Sequence, residues 1–106
     1  MFIINGETWN VRYVNPYDSS LKHYNNNTYA LGCCNNIEKT IYINNTLRGS
    51  LAKKVLCHEI AHAAMFSYGV DLTYEQEELV ADLIATYGDE IIFITNKIFN
   101  KLREGY

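Results

Sequence analysis

Leu51-Ala52-Lys53-Lys54-Val55-Leu56-Cys57-His58-Glu59-Ile60-Ala61-His62-Ala63-Ala64-Met65 is the stretch on which the fold turns. No Gly or Pro interrupts it, and its apolar residues lie nearly all round a helix: Leu56, Ile60 and Ala63 on one side, Ala61, Ala64 and Met65 elsewhere. A helix of that character is enclosed by other elements. The pattern extends from about Leu47 to Tyr68, with Gly69 as a C-terminal stop. Inside it stands His58-Glu59-Ile60-Ala61-His62, whose two imidazoles project from one face on successive turns. A Zn²⁺ ion about 2.0–2.1 Å from each nitrogen bridges that gap, and Glu59 lies beside the ligands, where a carboxylate takes a proton from an activated water. With three histidines and eight glutamates, a shuffled chain would contain this pattern in under about 1% of cases. The bland alternative, two core histidines flanking a surface Glu, leaves unpaired imidazoles and a carboxylate in the most apolar helix of the chain, which is costly.

Downstream, Thr73-Tyr74-Glu75-Gln76 has the form of a capping box and opens a second helix to about Ala85, with Glu75, Glu77 and Glu78 at its positive end. Gly88-Asp89 marks a break, Asp89 capping a last helix to about Leu102. Upstream the pattern changes period. Phe2-Ile3-Ile4, Asn5-Gly6 and the alternating Glu7 to Val14 read as a hairpin with Trp9, Val11 and Tyr13 on one face. Asn15 to Ser20, with Pro16, ends that strand. Thr28 to Cys34 and Lys39 to Asn44 read as a second antiparallel pair around Asn35-Asn36-Ile37-Glu38. The expected fold is therefore α+β, one domain of 106 residues: a small antiparallel sheet within residues 1–46, packed on the buried His-Glu helix and the C-terminal helices of residues 47–106.

Composition excludes other classes. Nine Lys and Arg are scattered among twelve Asp and Glu for a net charge of −3, so no basic field gathers nucleic acid. No apolar run approaches the ~20 residues of a membrane span, and no basic stretch followed by an apolar one marks a secretory signal, so the expected address is the cytoplasm. Three cysteines, two of them adjacent, read as reduced thiols. The twelve asparagines and nine tyrosines carry no mechanism.

A catalytic zinc ion takes three protein ligands and a water. His62 lies about 9 Å from the end of its helix and Glu78 about 7.5 Å from the start of the next. The short Gly69 to Leu72 loop folds the two helices antiparallel, so Glu78 returns to the level of His62. Asp82, one turn on, returns to the level of His58, where it can accept the imidazole N–H. The alternative for Glu78 is a solvated acid of the helix start, the role expected of Glu75 and Glu77.

The pairing of this motif with Glu78-Leu79-Val80-Ala81-Asp82 resembles the gluzincin pattern of zinc metallopeptidases. His58-Glu59-Ile60-Ala61-His62-Ala63 with Glu78-x-x-Ala81-Asp82 is similar to the small phage- and mobile-element-associated peptidases of the ImmA/IrrE type and to the minigluzincins, over roughly a third of the chain, Leu51 to Ala85. The resemblance implies one zinc ion on His58, His62 and Glu78, Glu59 as base and acid, and Asp82 as the partner of an imidazole. It also implies that the strand before the motif helix, Thr40, Ile41, Tyr42, Ile43 and Asn44, is an edge that pairs with an extended protein or peptide substrate. No third-histidine extension of the metzincin kind follows the motif, and the oxyanion donor is unassigned, with His23 and the tyrosines Tyr42, Tyr68, Tyr74 and Tyr87 as candidates. Cys57 reads as a core thiol, and Cys33 or Cys34 as packing rather than a thiolate latch on the metal.

Two rivals remain from the residues alone. One is a catalytically silent regulatory module whose zinc is a structural clasp and which binds a protein along Thr40 to Asn44. The other is a peptidase inhibited by its own tail, Lys101 to Tyr106, laid across the cleft.

Overall fold

A computed structural model describes residues 1–23 and 27–105, with side chains to residue 102. β1 (Phe2–Ile4) and β2 (Glu7–Val14) form the expected hairpin. Its turn is Asn5-Gly6, both at positive φ (48° and 77°), the conformation that a two-residue connection matching the strand twist requires. β3 (Gly32–Asn35) and β4 (Thr40–Asn44) form the second antiparallel pair, in the register Gly32↔Ile43 to Asn35↔Thr40.

The two hairpins join side by side through β2 and β4, which run parallel from Asn10↔Thr40 to Val14↔Asn44. The sheet is therefore mixed, in the order β1-β2-β4-β3, and not antiparallel throughout. This order corrects one expectation. Thr40, Ile41, Tyr42, Ile43 and Asn44 are not an edge: β4 is an inner strand, buried along its whole length and hydrogen-bonded on both sides. The edge beside the helices is β3.

α1 (Gly49–Ser67) packs on the sheet, with Val55, Leu56, Ile60 and Ala63 against Trp9, Ile41 and Ile43. Two hydrogen bonds tie its far end to the first hairpin. The Trp9 Nε1–H donates to Ser67 Oγ at 2.8 Å, and Asn5 Nδ2 donates to the Ser67 carbonyl at 3.0 Å. Buried indole and hydroxyl groups thus satisfy each other. The helix ends at Gly69, whose φ of +63° suits a C-terminal glycine.

α2 (Tyr74–Gly105) covers the opposite side of α1, Ala81 meeting Ala61 and Met65. Small residues at that contact let the two axes approach, and α1 lies enclosed between the sheet and α2. The capping box is formed: the Gln76 N–H donates to Thr73 Oγ1 at 3.2 Å, and the Thr73 N–H to Gln76 Oε1 at 3.0 Å. No break occurs at Gly88. One helix continues through it, and Asp89 is no cap: its carboxylate pairs with Lys53 of α1 at 2.7 Å. A mid-helix Gly costs only about 1 kcal/mol relative to Ala, too little by itself to end a helix whose earlier turns pack on α1. Because α2 is continuous, Lys101 lies roughly 28 Å along the axis from Asp82. The described tail therefore extends away from the cleft and does not cross it; Tyr106 lies outside the described residues.

Candidate metal centre and active site

α1 carries His58 and His62 on the side facing α2, as their spacing requires. The hairpin between the helices brings Glu78 of α2 to them. His58 Nε2 and His62 Nε2 are 3.1 Å apart, Glu78 Oε1 is 2.8 Å from His62 Nε2, and Glu78 Oε2 is 3.3 Å from His58 Nε2. One ligand atom from each of the three falls within 4.8 Å of the others.

The outer nitrogens are held by carboxylates. His58 Nδ1 lies 2.9 Å from Asp82 Oδ1, and His62 Nδ1 lies 2.7 Å from Glu77 Oε1. A carboxylate accepts and does not donate, so each Nδ1–H points outward to its acid and each Nε2 is turned inward toward Glu78. Two ring nitrogens and a carboxylate thus converge at close range, and a cation among them is what lets all three act as lone-pair donors together. Ligands of a tetrahedral ion at 2.0–2.1 Å are about 3.3 Å apart, close to the spacings seen here. The donor set therefore fits a divalent metal, and its two nitrogens and one oxygen are a set that zinc accepts.

Glu77 was expected in water with Glu75. Its side chain is instead about four-fifths buried, at 19% exposure, against the 9% of His62. The spacing held the signal: an antiparallel hairpin that brings Glu78 level with His62 also brings its neighbour Glu77 there. Both imidazoles are thus oriented from α2.

Glu59 is buried on the flank of α1 that faces β3. Burial chiefly pushes its carboxyl above the ordinary value, with Glu78 adding to the rise and the two histidines opposing it. Gly32 makes room for it. A Cβ at Gly32 would stand 2.9 Å from Val55 Cγ1, 3.0 Å from Glu59 Cγ and 3.2 Å from Glu59 Oε2.

Between β3 and the helices lies an open cleft of about 580 Å³. Leu31, Gly32, Cys33 and Cys34 form one wall, and His58, Glu59, His62 and Glu78 the other. His23 and Tyr74 also line it, whereas Tyr42, Tyr68 and Tyr87 do not; the Tyr42 hydroxyl is engaged with Glu38 at 2.7 Å. Burial and the Glu59 carboxylate raise both cleft thiols, Cys34 to about 12, and so disfavour a thiolate latch. All three cysteines are free.

Residues 10–92 match the Peptidase_M78 family, described as the IrrE N-terminal-like domain. The chain belongs to this family. Neither the search of curated proteins nor that of solved structures returned a match. Membership makes the chain a metallopeptidase-type protein, and the matched span holds His58, Glu59, His62, Glu78 and Asp82, together with β3 and β4. No helix among the described residues is long and apolar enough to cross a membrane.

Proposed function

We propose that this Peptidase_M78 member is a zinc-dependent endopeptidase of the gluzincin kind, acting on an intracellular protein substrate. His58, His62 and Glu78 hold one Zn²⁺, and Glu59 is the general base. The observation that carries this reading is the convergence of three donors with the Glu59 carboxylate at the floor of an open cleft. When bound, the ion lowers the pKa of a coordinated water toward 7 and polarises a carbonyl.

The chain's own residues do the rest. Asp82 and Glu77 fix the imidazole tautomers, so both ring lone pairs stay inward. Glu59 accepts the proton of the attacking water and later delivers it to the leaving amine, and its raised affinity for protons suits it to both roles. The outer edge of β3 supplies main-chain donors and acceptors to an extended peptide, the pairing first assigned to Thr40 to Asn44. His23 and Tyr74 are the candidates for the oxyanion. Three free thiols suit a reducing compartment. A structural clasp would close a fourth protein ligand over the ion, and the cleft leaves that side open.

The test is metal content and peptide cleavage, measured on the same preparations. Glu59→Gln should keep its zinc and lose about 10²–10⁴-fold in kcat. Glu78→Ala should lose both. Wild-type turnover in Glu59→Gln would overturn the base assignment.

A further inference from the structure

α1 begins at Gly49, one turn before Lys53, and the Lys53–Asp89 pair is the last ion pair between it and α2. Residues 91–102 of α2 run on beyond it, and every one of them is exposed. This overhang is not polar. Ile84, Tyr87, Ile91, Ile94 and Ile98 recur at alternating steps of three and four, the a/d spacing of a two-helix seam, which ends at Lys101. The five apolar residues are 42%, 54%, 53%, 47% and 56% exposed. Such a stripe is a contact surface.

Charge identifies what covers it. Glu90 and Lys97 precede Ile91 and Ile98 and so lie on the same flank of the seam, one turn-pair apart. Among the described residues neither has an ion-pair partner in its own chain. When two identical helices pair antiparallel, same-flank positions face each other across the seam. Glu90 of one copy then meets Lys97 of the other, and two-fold symmetry repeats the pair. The register that allows this sets Ile91 beside Ile94 and Tyr87 beside Ile98 of the second copy. In a parallel pair the same flank would face Thr95 and Leu102, and both charges would go unmatched.

We propose that α2 pairs antiparallel with α2 of a second copy of this chain, through Ile84, Tyr87, Ile91, Ile94 and Ile98, flanked by reciprocal Glu90–Lys97 ion pairs. The five half-exposed side chains offer roughly 500 Å² per copy, hence about 1,000 Å² for the pair, the threshold of a specific interface and the range of weak, transient ones. The dimer is therefore concentration-dependent. Its geometry leaves the cleft free, since Asp82 lies about 180° from Ile91 round the helix. Ile94 and Ile98 of the stripe and Lys97 beside it also lie beyond the family match, so the pairing is not implied by membership.

Sedimentation equilibrium of the zinc-loaded full chain tests this, with circular dichroism confirming unchanged helix content. The wild type should approach twice the chain mass as concentration rises to about 100 μM. Glu90→Lys sets like charges together twice and should weaken dimerisation about tenfold or more. Adding Lys97→Glu to it should restore the dimer, and Ile94→Asp should abolish it. A wild type that stays monomeric, a Glu90→Lys variant that dimerises unchanged, or a double reversal that fails to recover would each overturn the proposal.

Discussion

Gly32→Ala probes the active site from the wall opposite the metal. The backbone of Gly32 is not in the left-handed region, so Ala carries no φ penalty there; the cost comes from contact. The new methyl meets Val55 Cγ1 at 2.9 Å, Glu59 Cγ at 3.0 Å and Glu59 Oε2 at 3.2 Å, all closer than packed carbons tolerate. Overpacking of this kind costs about 1–3 kcal/mol, seen as a lower denaturant midpoint at unchanged m. Activity should fall as well. Both Glu59 contacts press on its side chain, which must give by a few tenths of an ångström. Since a 1 Å displacement of a catalytic group costs on the order of 10²-fold in rate, the loss here should be several-fold. Metal content should stay at the wild-type level, because His58, His62 and Glu78 are not among the contacts. Combining Gly32→Ala with Val55→Ala relieves the tightest contact, so the pair should cost less stability than the two changes summed, while activity stays low. Equilibrium urea unfolding, zinc analysis and kcat/KM on a quenched fluorescent peptide give the three readouts. Wild-type stability and full activity in Gly32→Ala would refute the placement of Glu59 against β3 and its role as the base.

Glu77→Ala frees the Nδ1 of His62 and should weaken zinc binding about 10–100-fold in competition with a chromophoric chelator, without removing a ligand. Unaltered affinity would mean that Glu77 does not set the tautomer. The Cys34 thiol is held protonated up to about 12 in the folded chain, chiefly by burial, against an ordinary value of 9.0. The unfolded chain therefore releases that proton first as pH rises. Stability is intact below about pH 9 and should decline from there toward pH 12, and urea midpoints of Cys34→Ala should show a shallower decline than wild type. Parallel slopes in the two proteins would contradict the burial of that thiol.

Much of the helical half was legible because its signals are local. The apolar circumference of α1, the Gly69 stop, the Thr73–Gln76 box and the short connection together place Glu78 and Asp82 at the histidines, as found. Glu77 was missed because acids in a first helical turn usually answer the dipole, and that explanation sufficed before the hairpin arithmetic was extended by one residue. Gly88 suggested a break, since a lone glycine looks alike at a terminus and inside a helix; what the sequence did not reveal is the contact of Ala81 with α1 before it and the Lys53–Asp89 pair beside it. Both hairpins were readable from Asn5-Gly6 and the Asn35 to Glu38 turn, but the pairing between them was not. Parallel contact of Asn10 with Thr40 joins residues far apart in sequence, and no local propensity encodes it. One clue was available: Ile41-Tyr42-Ile43 does not alternate with polar residues, as a strand covered on both faces does not.

The edge of β3 exposes main-chain groups that any other chain could zip onto, the usual route by which sheets aggregate. Two features of this molecule restrain that hazard. The strand is only four residues long, and it lies recessed against helices in the cleft wall instead of standing proud of the surface. A single unfolded segment can slide in beside it, whereas the rim of a second folded sheet is kept out by α1 and α2. With β3 as the proposed substrate strand, selectivity for extended over folded chains begins with steric access, before any side chain is read.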